Sequence, residues 1–475
     1  MMNDWKMSCW LAFIVFGLLP GCVTFHPRPI EPLRIEAEFR ERTLTDSGLR
    51  AYVEAGAPLK PSEWPPSSWD FTLLTLVAFY YHPDLDVART SWSVTEARVV
   101  TAAARPNPSV NVAPGYASNA GTGIPPWLMN FFLDIPVETA GKRGYRIAQA
   151  VQLSAAARLH IATVAWQVRS RLRKSLLDLY SATQIEALLN KQQTVQEEIV
   201  TLLEQRLAAG EISQPEVTLA HLALDQTRLS LREVQKQRAE ARGQLAEALG
   251  FPVAVLDGVA ISFAGLDQLP PDLPTSEVRG QALLNRPDLL AALAEYAASE
   301  SALQLEIARQ YPDFHTGPGY ERDTGENKWF LGLSLVLPVL NRNAGPIAEA
   351  EARRKETAAR FTALQAQVIG EIDRALAGYH AALQTVATAD ALLSAHIQQY
   401  ESTQAMFHVG EADRLALLSA HLEREVSARA RLNALVTAQR AFGLLEDAVQ
   451  RPLNPLESTM VVPEKRPRSG EENNG

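Results

Sequence analysis

Cysteine is almost absent from this chain of 475 residues, which contains Cys9 and Cys22 and no other. Both lie within the first 22 positions, so the rest of the chain cannot form a disulfide or a thiol-based site. This absence excludes cysteine-bound zinc, iron–sulfur clusters and a cysteine nucleophile from the body of the protein.

The sequence also lacks long hydrophobic runs and an excess of basic residues. The apolar run at 10–19 is too short to cross a bilayer as a helix, and no later run approaches the required length. If the protein crosses a membrane, strands must do so. The formal net charge is −9, without a basic patch, which argues against nucleic acid as a partner.

Catalytic motifs are missing as well. There is no Gly-x-Ser-x-Gly or His-Glu-x-x-His sequence, and the glycines at 141–144 lack the spacing of a phosphate-binding loop. A periplasmic hydrolase would therefore have no catalytic constellation. We expect no enzymatic activity, no cofactor and no metal site.

The N-terminus is typical of a secreted bacterial lipoprotein. Lys6 precedes the apolar run, which ends in small residues before Cys22. We predict a signal peptide over residues 1–21 and lipidation of Cys22; the alternative is ordinary cleavage nearby with an incidental cysteine. Lipoproteins retained in the inner membrane typically carry Asp after the cysteine, so Val23 favours the outer membrane.

What the chain does contain is a long internal repeat. A repeat of this length indicates a duplicated, domain-sized unit and not a short solenoid module. The matching residues keep almost the same separation throughout: Pro83-Asp84-Leu85 with Pro287-Asp288-Leu289, Pro114-Gly115-Tyr116 with Pro318-Gly319-Tyr320, and Gly210-Glu211 with Gly410-Glu411.

Each copy predicts two strands after a helix that begins at Pro83 or Pro287. Strict alternation gives one continuous apolar face, the signature of membrane strands. The residues on that face are Trp127, Met129, Phe131, Leu133 and Ile135 in the first copy, and Trp329, Leu331, Leu333, Leu335 and Leu337 in the second. The partner strands are expected near 107–118 and 313–321, with loops at 117–126 and 321–327.

A very long helix follows the strands in each copy. Residues 145–208 contain neither proline nor glycine and predict a helix about 95 Å long, with apolar positions at coiled-coil spacing. Residues 347–408 predict its counterpart. Each long helix ends in a glycine-bearing turn, and a second helix returns to about 249 or 449.

The fold class is therefore mainly α with a small membrane β part, built from a duplicated strand-strand-long helix-helix unit. Four strands cannot close a barrel, and open edges in lipid would be unsatisfied, so closure requires an oligomer. The predicted segments are a lipid-anchored, extended, proline-rich arm at 22–70 with one short helix near 49–54, repeats at 71–250 and 277–451, a connector at 251–276, and a disordered tail at 452–475.

These features together resemble the TolC-like outer-membrane efflux protein family over about residues 70–450. The motifs that carry the resemblance are His82-Pro83-Asp84-Leu85 with Arg286-Pro287-Asp288-Leu289, Ile135-Pro136-Val137 with Leu337-Pro338-Val339, and the turns at Gly210 and Gly410. The resemblance implies a homotrimer with a 12-stranded β-barrel in the outer membrane of a Gram-negative bacterium and a helical barrel in the periplasm. It also implies passive export of solutes, with a periplasmic adaptor (membrane fusion) protein and an inner-membrane pump as partners. Residues 42–49 are similar to the cobalt–zinc–cadmium branch, which would export heavy-metal cations.

The resemblance assigns the helical turns to the periplasmic tips that contact the adaptor. The residues are Ala209, Gly210, Glu211, Val409, Gly410, Glu411 and Asp413. Glu216 is a possible gate residue, although Ser213-Gln214-Pro215-Glu216 also has the pattern of a capping box.

His221 and His421 occupy equivalent positions near the tips, and in a trimer they could form a ring of imidazoles that binds or senses metal. The alternative is two solvated histidines, because no second ligand lies at metal spacing.

A different class of function is a periplasm-spanning structural coiled-coil lipoprotein without a pore. It explains the helices and the lipid anchor, but it leaves the four amphipathic strands unexplained. The strands are therefore the feature that discriminates between the two functions.

Overall fold

A computed structural model describes residues 23–57, 63–270 and 275–453. The predicted signal peptide, the lipidation site at Cys22 and almost all of the predicted tail lie outside the described residues. The chain divides into two compact units, residues 1–42 and residues 43–475.

The described part of the first unit contains a helix where the prolines led us to expect extended chain. Helix α1 (Pro32–Arg40) begins with its proline in the first turn, where the missing N–H costs no helical hydrogen bond. Two ion pairs stabilise the helix, each between side chains one helical turn apart: Arg34 with Glu38, and Arg40 with Glu36. The expectation of an extended arm is wrong for these residues.

The described part of the second unit repeats one order of elements twice. It begins with α2 (Ser47–Gly56) and α3 (Phe71–Tyr81). The first copy is α4 (Pro83–Ala103), β1 (Ser109–Tyr116), β2 (Trp127–Val137), α5 (Lys142–Ala208) and α6 (Gln214–Leu249). After a 3-10 turn at Val253–Leu256 and α7 (Thr275–Asn285), the second copy is α8 (Pro287–Ala308), β3 (Phe314–Asp323), β4 (Glu326–Leu335), α9 (Ala344–His408) and α10 (Arg414–Val449).

The largest hydrophobic core surrounds α3, whose residues from Leu74 to Tyr81 are all buried. Leu49 and Val53 of α2 pack into the same core, so residues 44–53 belong to the folded body and not to an extended arm. The predicted short helix near 49–54 is confirmed. The backbone of Trp69 pairs with Ile261, which ties the connector to this core.

Helix α5 has 67 residues and α9 has 65, so each is about 100 Å long. The predicted apolar stripe of α5 is buried at Val164, Val168, Leu172 and Leu176. Gln192 of the same helix is also buried, and it donates from Nε2 to Thr227 Oγ1 at 3.2 Å. None of the helices in the described ranges combines the length and the apolar character that crossing a bilayer requires.

Packing between the long helices follows a simple order. Helix α5 packs against α6 on one side and α10 on the other, and α10 packs in turn against α9. The neighbour order is therefore α6, α5, α10, α9. Helices α4 and α8 both pack against α5, and α8 also packs against α9.

The four strands form one antiparallel sheet in the order β1-β2-β3-β4. The second hairpin differs from the prediction, because β4 begins at Glu326 and the loop shrinks to Thr324 and Gly325. Their φ angles of 48° and 99° are both positive, as a two-residue hairpin turn requires. Strand β4 also ends at Leu335, two residues before the predicted Leu337.

Candidate functional site

The sheet has two chemically distinct faces, and the predicted alternation is confirmed. One face, called the apolar face here, leaves large side chains in solvent; Trp329 is 78% exposed and Leu331 is 77% exposed. Its other exposed members are Val110, Val112, Tyr116, Trp127, Met129, Phe131, Ile135, Leu333 and Leu335. Aromatic pairs lie near the hairpin-turn end, with 5.2 Å between the ring centroids of Tyr116 and Trp127 and 4.9 Å between those of Tyr320 and Trp329.

The opposite face, called the polar face, carries the charged residues of the strands except Arg322, which pairs with Met129 on the apolar face. His315 Nδ1 lies 3.0 Å from Asp134 Oδ2, and Lys328 Nζ lies 2.8 Å from Asp323 Oδ2. By strand register Asn111, Asn130, Glu321, Glu326 and Ser334 share this face. A wall that is apolar on one side and polar on the other suits a boundary between lipid and water.

The two helical turns have the conformation that the sequence predicts. Gly210 and Gly410 have φ angles of 77° and 83°, in the left-handed region where glycine has no steric penalty. The Glu211 N–H donates to Arg206 O at 2.9 Å, and the Glu411 N–H donates to Met406 O at 2.9 Å. These bonds close a Schellman motif at the end of each long helix. Ala209 and Val409, the residues before the glycines, are exposed.

Asp413, predicted as an adaptor contact, also has partners within the chain. Its carboxylate caps α10 by accepting from the Ala416 N–H at 2.8 Å, and it lies 2.7 Å from Arg206 Nη2 of α5. The hydrogen bond from Arg206 lowers the pKa of Asp413 below its usual value. Arg414 and Glu198 form a second ion pair across the same seam at 2.8 Å. Asp413 therefore joins the two tips of the chain.

Glu211 and Glu411 are exposed, and the described residues give the Glu411 carboxylate no hydrogen bond or ion pair. Glu216 completes a capping box, because its Oε1 accepts from the Ser213 N–H at 3.1 Å and from Ser213 Oγ at 2.9 Å. The bond from the Ser213 backbone lowers the pKa of Glu216. The capping interpretation is confirmed, whereas a gating role stays a prediction.

The two equivalent histidines have unlike surroundings. His221 Nε2 lies 3.0 Å from Glu204 Oε1, in an exposed pair between α6 and α5. His421 packs against the Tyr400 ring at 5.2 Å between centroids, and burial together with Arg424 lowers its pKa. No group of three His, Cys, Asp or Glu side chains in the part of the chain that the structure describes is arranged to hold a metal ion. The imidazole ring stays a prediction.

A buried charged cluster between α5 and α10 was not anticipated from the sequence. Arg169 Nη1 lies 3.2 Å from Glu446 Oε2, with side chains 3% and 2% exposed. Arg173 Nε adds a contact to the same carboxylate at 3.6 Å. Asp447 beside it accepts from Trp166 Nε1 at 2.9 Å and from Ser170 Oγ at 2.7 Å. No local pattern could reveal these pairs, because their partners lie in different repeats.

Comparison with known proteins places the duplicated region in a family. The model of the outer membrane efflux protein family matches residues 78–251 and 278–442, one stretch in each repeat. The matched stretches include both hairpins of the sheet and both tips.

Two curated relatives share part of this match. The chain is 29% identical over 224 residues to the cobalt-zinc-cadmium resistance protein CzcC of Cupriavidus metallidurans, covering 46% of this chain and 52% of CzcC. The chain thus spans about half the length of that relative. It is 24% identical over 333 residues to the pyoverdine export outer membrane protein OpmQ of Pseudomonas aeruginosa, covering 68% of this chain and 66% of OpmQ.

Solved structures share the fold at low identity. The outer membrane protein VceC of Vibrio cholerae superposes with a TM-score of 0.65 at 18% identity, covering 80% of this chain and 96% of VceC. The CmeC outer membrane channel of Campylobacter jejuni gives 0.65 at 15% identity, covering 93% and 95%. The family match extends over most of the chain and includes both repeats. The chain therefore belongs to the outer membrane efflux protein family.

Proposed function

We propose that the protein is the outer-membrane exit duct of a tripartite efflux system, and that it conducts solutes passively as a homotrimer. The sheet carries the proposal. Strands β1 and β4 are its two edges, and each has a strand neighbour on one side alone in the described chain. Three such sheets joined edge to edge would give a closed 12-stranded barrel with every backbone group paired, as lipid requires.

The helical part supports the same symmetry. The outermost long helices, α6 and α9, each expose several large apolar side chains. Leu219, Leu222 and Leu229 lie on α6, and Leu392, Ile397 and Met406 lie on α9. We propose that α6 of one protomer packs against α9 of the next, which closes a helical barrel around water.

We assign the direction of transport from the two ends of each copy, which carry the strands at one end and the helical turns at the other. The strands would cross the outer membrane, and the tips at Gly210 and Gly410 would meet the periplasmic adaptor and, through it, the inner-membrane pump. Exposed Glu211 and Glu411 suit a contact surface, whereas Asp413 would hold the tip geometry. The domain bounds given above, with Cys22 as a lipid anchor in outer-membrane lipid, belong to this proposal.

The similarity to CzcC supports heavy-metal cations as the substrate, and the similarity to OpmQ supports a different cargo. We propose metal cations, because residues 42–49 also resemble the cobalt–zinc–cadmium branch. A pore-free scaffold would leave the exposed apolar face of the sheet unexplained and is the less supported function.

Electron microscopy and bilayer recording of the full-length protein test the proposal. The detergent-extracted protein is expected to be a threefold particle with a hollow stem on the order of 100 Å, the length set by helix rise. In a planar bilayer it should give stable single-channel currents. A solid rod without conductance would contradict the duct and favour the scaffold.

A further inference from the structure

Two phenylalanines interrupt the polar face of the sheet. Phe132 of β2 and Phe330 of β4 both pair in register with Gly319 of β3, so the three residues form one row across the sheet. The two rings are parallel within 7°, with 6.2 Å between their centroids. Their neighbours along the strands on this face are Asn130, Asp134 and Lys328, so the rings do not belong to an apolar surface.

Two glycines of the sheet leave the space that the rings occupy. A Cβ at Gly319 would overlap the Phe330 ring, and a Cβ at Gly332 would overlap the Phe132 ring. Gly317 and Gly319 are buried beside them. The rings occupy the space in front of these glycines on the polar face, and Phe330 remains 40% exposed there.

Carboxylates flank the rings on both sides along the strands. Asp134 lies toward the helices and pairs with His315. Three more carboxylates lie toward the hairpin turn: Glu321, Asp323 and Glu326. Lys328, on the same face, pairs with Asp323. The charge of the polar face is therefore negative around the aromatic pair.

We propose that the Phe132–Phe330 pair and these carboxylates form a solute-contact site for cations that carry apolar groups, of the quaternary ammonium type. The inference rests on the proposed function, since a closed barrel turns the polar face into the wall of the duct and repeats the site three times. The negative field concentrates cations at the wall. A ring face attracts a positive charge through its quadrupole, and this attraction is useful for organic cations that shed water readily.

Single-channel recording in planar bilayers tests the site with tetrapropylammonium as the probe. The full-length trimer in potassium chloride should show a concentration-dependent, reversible reduction of current. The double variant F132A/F330A should weaken this block roughly fivefold, the change that a modest cation–π contribution gives. F132L/F330L should weaken it equally, because leucine still covers the glycines but has no π face. F131A, on the apolar face of the same strand, is the matched control and should not change the block.

Each other outcome contradicts the site. An unchanged block in both double variants, or the same loss in F131A, removes the phenylalanines from the contact. A loss in the alanine variant that leucine restores would mean that the rings act through packing alone. A wild-type channel that conducts but is not blocked overturns the inference while the duct survives; a wild-type protein that does not conduct overturns both.

Discussion

At the scale of single residues, two acidic side chains at the same tip have different tasks. Glu411 is exposed and unpaired among the described residues, whereas Asp413 caps α10 and pairs with Arg206. We expect E411K to weaken adaptor binding and export while trimer content and thermal stability stay at the wild-type level. Adaptor pull-down, an export assay and circular dichroism melting would measure these effects.

D413K is the comparison variant, because it should lower stability as well as coupling. Loss of the helix cap alone costs about 1 kcal/mol. If E411K binds the adaptor and exports as the wild type does, the assignment of the tip as the adaptor contact is wrong.

The buried pair between Arg169 and Glu446 gives a second prediction. Removal of one partner leaves the other charge buried and unpaired, so E446A should lower the free energy of unfolding by about 3–5 kcal/mol. The measurement is chemical unfolding in detergent followed by the helical signal. E54A is the matched control, since its i,i+4 pair with Arg50 is exposed and contributes less than about 1 kcal/mol. Equal effects of the two variants would contradict the burial argument.

Asp447 predicts a pH dependence of stability. Burial raises the pKa of its carboxyl above the ordinary value of about 4, so the folded protein holds the proton more tightly than the unfolded chain does. Its contribution to stability should therefore fall as pH rises from that ordinary value through the raised one. D447N can accept from Trp166 with its carbonyl oxygen and donate from its amide to Ser170 Oγ, and it should lack this slope in unfolding midpoints measured against pH. A slope identical to that of the wild type would assign the effect to another group.

The residues of the site differ in how far the sequence reveals them. Gly210, Gly410 and the capping box at Ser213 follow from local backbone chemistry, so the sequence is sufficient for them. The pairing of Asp413 with Arg206 was not predicted, because the two residues meet through packing between repeats.

At the scale of elements, the pairing of β2 with β3 depends on one glycine. A Cβ at Gly317 would overlap the carbonyl oxygen of Leu133, a backbone atom that cannot move aside as a flexible side chain can. We expect G317A to abolish trimer assembly, measured as the amount of trimer on semi-native gels. G243A is the control, because its Cβ meets nothing within 4 Å inside helix α6, where alanine is favoured by about 0.5–1 kcal/mol. Trimer content equal in both variants would refute the requirement.

Element types were predictable where a periodic pattern was long. The two long helices and the four strands fall where the periodicity indicates. The exceptions are Pro32–Arg40, where prolines suggested extended chain, and both ends of β4, which begins at Glu326 within the predicted loop and ends at Leu335, before the predicted Leu337. In α1 the proline occupies the first turn, where its missing N–H costs no helical hydrogen bond. In the second hairpin a two-residue turn lets the polar residues Glu326 and Asn327 pair within the strand.

At the scale of the whole molecule, the exposed leucines of α6 test the trimer. A charge placed in a packed interface must be desolvated, so L222E/L229E should shift the protein from trimer to monomer in detergent while the helical signal is kept. L222A/L229A removes the same apolar groups without adding charge and should shift it less. Light scattering after size exclusion gives the masses. A stable trimer with both glutamates would contradict the proposed contact between α6 and α9.

The sequence by itself determined the duplication, the helix and strand periods, the glycine turns and the two-faced strands, because each depends on residues close together along the chain. Tertiary structure decided the neighbour order of the long helices, the burial of Arg169 with Glu446, and the seating of Phe132 and Phe330 on glycines. Those features depend on contacts between residues of different elements. Periodicity shows which face of an element is buried, but not which other element covers it.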